Sequence, residues 1–196
     1  MDEAQLMSEG KLQAQGVVCF QDGDYEDGWY DDYASGDCYT RDELALRAGL
    51  FSDNTAGHML VRDLGGVGAL NVYAAEQGTE ESTLYDPNFT TADDRTALLT
   101  AEATGKAGGA AAMAWLYPKL INTHFEAGIP AGVPAGRLVI HKTGQLDAVV
   151  DDAGIVTGAA NGPYALAVLT DGAGGDAGWQ LIASISAAVW NYEAAR

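Results

Sequence analysis

At Gly136 the chain changes its periodicity, and that change limits the folds open to it. Beyond it lie three apolar runs with no helical stretch between them: Arg137–His141, then Ala148–Val150 with Gly154–Thr157, then Tyr164–Thr170. Parallel neighbours need a crossover of a dozen or more residues, so short connections imply antiparallel strands. The second run is interrupted by Asp151-Asp152 and reads as a broken strand. The third, YALAVLT, is almost continuously apolar, as expected of a buried strand.

Before Gly136 the signals are helical. Residues 1–15 read as the end of a helix that stops at Gly10. Thr40-Arg41-Asp42-Glu43 is a capping box, and the helix it opens carries Leu44, Leu46 and Leu50. Thr55 to Leu64 places Met59, Leu60 and Leu64 along one side and ends at Gly65-Gly66. Val67 to Gln77 is a third helix, closed by Gly78. Thr91-Ala92-Asp93-Asp94 caps a helix from Arg95 to about Thr104. Ala107 to Phe125 is an alanine-rich helix that Pro118 should kink or interrupt, and Pro130 and Pro134 force an extended connection. After the strands, Asp176 is expected to cap a last helix bearing Trp179, Ile182, Val189 and Trp190 at helical spacing. Helices, then antiparallel strands, then a helix make an α+β fold with helices packed on an antiparallel sheet. Neither a repeat nor a linker is visible, so residues 1–196 are expected to form a single domain.

Charge restricts the partners. The chain has 28 acidic and 10 basic residues, a net −18, which repels nucleic acid and anionic membrane surfaces. A solvated acidic surface and a high-salt habitat both produce this composition, and both stay open. No run reaches the ~18 apolar residues of a membrane span, so no membrane insertion is expected. The polar start, Met1 to Gln15, is not a signal peptide. The acidic loop Asp22–Gly28 invites a calcium reading. An EF-hand needs Gly at its sixth position and Glu at its twelfth, and counting from Asp22 these hold Asp27 and Tyr33. A solvated loop is expected instead. Cys19 and Cys38 lie in loop-like sequence and would bridge only in an oxidising compartment. His58, His124 and His141 show no metal-ligand spacing and are expected to be packing or surface residues. No metal or other cofactor is implied.

Two tripeptides carry chemistry: Ser52-Asp53-Asn54 between two helices, and Lys142-Thr143-Gly144 at the end of a strand. Alone they could be a helix cap and a strand end. Their surroundings extend them: LFSDNTAGHMLVRDLGG (50–66), NFTTADDRTALL (88–99), FEAGIPAGVPAGRLVIHKTGQ (125–145), DDAGIV (151–156) and YALAVLTDG (164–172). Together these segments resemble the serine β-lactamase and penicillin-binding protein family, most closely its class A branch. The resemblance implies a β-lactamase/transpeptidase-like fold and an acyl-serine hydrolase acting on β-lactam or peptidoglycan-like amides. It gives Ser52 a proton relay to the leaving nitrogen and Asn54 the substrate amide. Asp53 would cap or brace the loop. Lys142 and Thr143 would hold the substrate carboxylate, and Gly144 would let substrate lie close to the strand. An extracytoplasmic place follows from the same resemblance.

Two departures qualify that expectation. The family's nucleophile motif, Ser-x-x-Lys, is matched only by Ser8-Glu9-Gly10-Lys11. Gly10 weakens a helix by about 1 kcal/mol, and Gly10-Lys11-Leu12 is similar to the family's segment after the nucleophile helix. On that register the motif is expected a few residues before Met1, with the first strands also missing. Ser8 and Lys11 remain the alternative nucleophile and base. The stretch GTEESTLYDPNFT (78–90) is also short, and Glu80, Glu81 and Asp86 are expected to face solvent. Rapid hydrolysis of an acyl-enzyme is therefore not expected. The other readings are a non-catalytic binding or scaffold protein that keeps the fold, and self-association through a truncated edge.

Overall fold

Three hydroxyl or carboxylate caps decide where helices begin. Thr40, Asp53 and Thr91 accept the backbone N–H of Glu43, Ala56 and Asp94, opening α2 (Arg41–Leu50), α3 (Asn54–Asp63) and α5 (Ala92–Ala103). The computed structural model describes residues 1–85 and 87–196. Around those helices stand α1 (Asp2–Ser8), α4 (Val67–Gln77), α6 (Gly109–Leu116) and the long α7 (Gly175–Ala195). Strands β1 (Val17–Cys19) and β2 (Cys38–Thr40) form a small antiparallel sheet. Strands β3 (Val139–Leu146), β4 (Val149–Val156) and β5 (Tyr164–Leu169) form a second antiparallel sheet in the order β3-β4-β5. This is the α+β architecture read from the sequence.

Several expectations are corrected. β4 runs unbroken through Asp151 and Asp152. Both carboxylates find donors: Asp151 accepts from Thr170 N at 2.8 Å, and Asp152 from Ile129 N at 2.7 Å. A buried carboxylate is tolerated where such donors satisfy it. β3 continues to Leu146, so Lys142-Thr143-Gly144 lies mid-strand rather than at its end. α5 begins at Ala92, directly after its cap, and not at Arg95. The helix expected over Ala107–Phe125 is interrupted at Pro118, as its proline allowed, but it does not resume: α6 ends at Leu116 and Pro118 sits in a 3-10 turn, Tyr117–Lys119. Pro130 likewise opens a 3-10 turn, Ile129–Gly132, where an extended link was expected. Asp176 does not cap α7. Gly174 occupies that position, and Asp176 stands in the first turn, where it favours the helix dipole. Cys19 and Cys38 face each other across β1 and β2 and are joined as a disulfide, so their sequence is strand and not loop.

Two apolar cores result. One lies between the three-stranded sheet and α7, with Ile129, Val150, Val156 and Ile182 fully buried beside Trp190. The other packs Val18 and Phe20 of the small sheet against Leu44, Ala56 and Met59. Burial of each such aliphatic side chain stabilises by about 1.5–3 kcal/mol. α5 covers the other face of the sheet at β4 and β5. The α2–α3 turn and the β3 edge are thereby fixed by separate cores and meet between them.

Candidate functional site

The turn from α2 to α3 places three consecutive side chains. Ser52 closes α2 in a left-handed conformation, φ +56°, where glycine is usual. A non-glycine residue held there is a common mark of a functional site. Asp53 is nearly completely buried and accepts three hydrogen bonds: from Ala56 N at 2.8 Å, Tyr30 N at 2.9 Å and Tyr33 Oη at 2.6 Å. Asn54 Nδ2 donates to Asp27 O at 2.6 Å. One step on, the buried Thr55 hydroxyl accepts from Glu26 N and donates to Glu26 O. Three consecutive positions, Asp53 to Thr55, thus stitch the loop 26–33 to the start of α3. Gly28 permits the approach, since a Cβ there would stand 3.0 Å from Asn54 N and from the Asp53 carboxylate.

The acidic loop keeps Asp22, Tyr25, Glu26 and Asp27 exposed, as expected of a solvated loop, but it is also anchored to α3. Its Asp24 is buried, accepts from Gln21 N at 2.9 Å and pairs with Arg62 at 2.7 Å. Among the described residues no group of three His, Cys, Asp or Glu side chains is placed to hold a metal ion.

From the opposite side, the β3 edge strand brings Lys142 to this turn. Its Nζ donates to Ser52 Oγ at 2.5 Å and to Thr143 O at 2.7 Å. Lys142 is exposed as a residue, and its ammonium rests against Ser52 and the Thr143 carbonyl, which crowd out part of its water. Its pKa is lowered to about 8, chiefly by desolvation; Asp152 opposes the shift and Arg95 adds to it. A cleft of about 230 Å³ joins Ser52, Asn54 and Thr143 with the rings of Trp29, Phe51, Phe125 and Trp179. A larger cavity of about 860 Å³ adjoins Lys142, Thr143 and Gly144 on the other side, so Thr143 borders both. Ser52, Asn54 and Thr143 thus share one cleft, and Lys142 joins it through its hydrogen bond to Ser52, although 88 residues separate Asn54 from Lys142.

Ser8 and Lys11 are not brought there. The Ser8 hydroxyl donates to Gln5 O on an exposed helix face, and Lys11, 66% exposed, pairs with Glu9 at 2.7 Å. Glu80 and Glu81 are exposed at their side chains while their backbone N–H groups donate to Asp94. Asp86 lies outside the described residues.

The sequence reading missed the aromatic wall. Trp29 stacks edge-on against His124, with centroids 4.1 Å apart, and lies 5.6 Å from Phe51 and 6.1 Å from Phe125. The only signal was the density of aromatic residues in the acidic loop and the His124-Phe125 pair beyond Pro118, which gave no hint that they converge. His141 was also under-read. It is fully buried between carboxylates, 2.9 Å from Asp152 through Nδ1 and 3.1 Å from Glu126 through Nε2. Burial opposes its charge, but the hydrogen bonds and charges of Asp152 and Glu126 outweigh burial and raise its pKa.

With the geometry in hand, likeness to known proteins can be placed. Residues 3–193 match the model of the Beta-lactamase enzyme family. A solved structure of PBP-A is 25% identical, covering 96% of this chain and 75% of that one with a TM-score of 0.86; another is described as its acyl-enzyme complex with penicillin G. The β-lactamase from Sphaerobacter thermophilus is also 25% identical, with 98% and 78% covered and a TM-score of 0.87. An ancestral class A β-lactamase is 25% identical, with 97% and 80% covered and a TM-score of 0.85. No curated protein sequence matches this chain.

Proposed function

We propose, from the premise that this chain belongs to the beta-lactamase enzyme family, that it binds β-lactam or peptidoglycan-like amides in the cleft between Ser52 and Thr143 and serves their cleavage through an acyl-serine. The observation that carries this reading is the Lys142–Ser52 hydrogen bond. Lys142 occupies a lone pair of the Ser52 oxygen, which leaves the Ser52 proton free to be directed at a leaving nitrogen. The same ammonium, with the Thr143 hydroxyl, offers a substrate carboxylate a cation and a donor in a partly desolvated place. Asn54 lines the cleft as the partner for a substrate amide. Gly144 borders the larger cavity, and nothing but the Asp151 Cβ, at 3.9 Å, would meet a Cβ built on it. We assign the nucleophile neither to Ser8 nor to Ser52. An acyl-accepting serine has to stand within reach of both Lys142 and Ser52, and the large cavity beside Lys142 has room for one. The exposed Glu80 and Glu81 support no rapid deacylation.

An extracytoplasmic place is supported by the Cys19–Cys38 bridge, since disulfides persist in oxidising compartments. Among the described residues no helix is long and apolar enough to cross a membrane.

Because Ser8 and Lys11 lie away from the cleft, a second reading is a binding module that keeps the site without turnover. Incubation with a fluorescent penicillin, followed by intact-mass analysis, separates the two. A covalent adduct on a serine supports the acyl-serine reading. Reversible binding that Lys142→Ala abolishes, with no adduct, supports the binding module. Absence of both adduct and binding refutes both.

A further inference from the structure

His141 stands next to the candidate site in sequence, and its ring is held in a buried group of side chains to which the proposed chemistry gives no role. Both of its ring nitrogens face carboxylates: Nδ1 faces Asp152 of β4, and Nε2 faces Glu126 of the loop after α6. A carboxylate only accepts, so the two contacts together require both nitrogens to carry protons. Asp152 is completely buried and is held a second time by Ile129 N. Glu126 is 42% exposed and also accepts from Thr123 N at 2.6 Å and Thr123 Oγ1 at 3.0 Å. The Thr123 hydroxyl in turn lies 3.3 Å from His141 Nε2 and accepts from Phe125 N at 3.2 Å. This tight turn, Thr123 to Glu126, carries His124 and Phe125, the two rings that stack on Trp29 in the cleft wall.

We propose that His141, held doubly protonated between Asp152 and Glu126, is a positioning residue that sets the aromatic wall of the cleft. When the ring loses one proton, one contact has to fail. The Asp152 contact persists, because a buried carboxylate without its donor is costly, whereas Glu126 can turn to water. The bare Nε2 then repels Glu126 and accepts from the Thr123 hydroxyl instead. That hydroxyl leaves Glu126, the turn resets, and Phe125 and His124 shift against Trp29. Other charges face this group. Lys142 is its strand neighbour and Arg95 of α5 lies by Lys142; both cations favour the neutral ring. Asp152 and Glu126 favour the charged one and are closer. The backbone N–H of His141 stays tied to Leu120 O in either state.

The wall's movement does not depend on what the cleft binds, so the test reads the free protein. The His141 ring, the Phe125 amide and the Trp29 indole are followed by NMR from pH 5 to 9. One shared titration midpoint, above the ordinary histidine value of 6.5, supports the proposal. Glu126→Gln, at a side chain partly in water, keeps the fold; it is expected to lower the His141 midpoint and to shrink the Phe125 and Trp29 shifts by at least half. If His141 titrates while Phe125 and Trp29 do not move, or if the ring stays neutral down to pH 5, the proposal is overturned. A protein that binds no β-lactam at any pH refutes the functional reading above and leaves these signals untouched.

Discussion

Replacing Asp53 by alanine removes one carboxylate and strands three donors. Ala56 N, Tyr30 N and Tyr33 Oη all end on it, at 2.8, 2.9 and 2.6 Å. Loss of the helix cap alone costs about 1 kcal/mol. The Tyr30 N–H is partly buried against Asp53, and a buried donor left without a partner costs about 1–3 kcal/mol. The half-buried Tyr33 hydroxyl can turn to water, so its share is small. Asp53→Ala is therefore expected to lower unfolding free energy by about 3 kcal/mol, a large part of the 5–15 kcal/mol that ordinary domains possess. Urea unfolding followed by circular dichroism gives the number, with the midpoint falling and the m-value unchanged. Asp53→Asn keeps one acceptor for Ala56 N and Tyr33 Oη but turns an amide toward Tyr30 N, and should lose an intermediate amount. The Trp29 indole signal should broaden in Asp53→Ala, since the loop 26–33 loses its central tie. A loss under about 1 kcal/mol, the value of a cap by itself, would refute the claim that this carboxylate holds the loop to α3.

Other outcomes are equally direct. Glu3 is nearly fully buried, neither of its oxygens has a partner among the described residues, and burial raises its pKa from 4.5 to about 7. A raised folded value means stability is fully present below pH 4.5 and lost as pH climbs through about 7. At roughly 1.4 kcal/mol per pH unit this loss is about 3 kcal/mol. Glu3→Gln should flatten that slope in a pH series of thermal melts, and an unchanged slope counts against it. Reducing the Cys19–Cys38 bridge, which closes a loop with a separation of 19 residues, should cost about 3 kcal/mol by the loop-closure estimate. Equal stability with and without reductant would contradict this. Gly132→Ala drives a Cβ into the Ala183 carbonyl and the Ser186 side chain of α7, an overpacking worth about 1–3 kcal/mol. A melt unchanged within error would show that α7 can step aside.

How much of this was legible in the sequence follows from the range of each interaction. The caps at Thr40, Asp53 and Thr91 act over three residues, so they could be read directly. Asp151-Asp152 was misread because polarity alone prices a carboxylate as surface; the donors that bury Asp152 come from Ile129 and His141, 23 and 11 residues earlier. The small sheet was missed because β1 and β2 are three residues each, too short for an alternating pattern to show. The aromatic wall draws Trp29 and Phe125 together from either side of α2 to α6, a distance at which periodicity says nothing. Net charge is the sharpest lesson. A chain of −18 should hold its lysines firmly protonated, since a negative surround favours the cation. At Lys142 the reverse holds, because the walls of the cleft withdraw water and Arg95 adds its own charge, and only Asp152 pulls the other way. Solvent and salt screen the distant carboxylates within about 10 Å, so composition describes the surface while three or four neighbours decide the chemistry of the ammonium that touches Ser52.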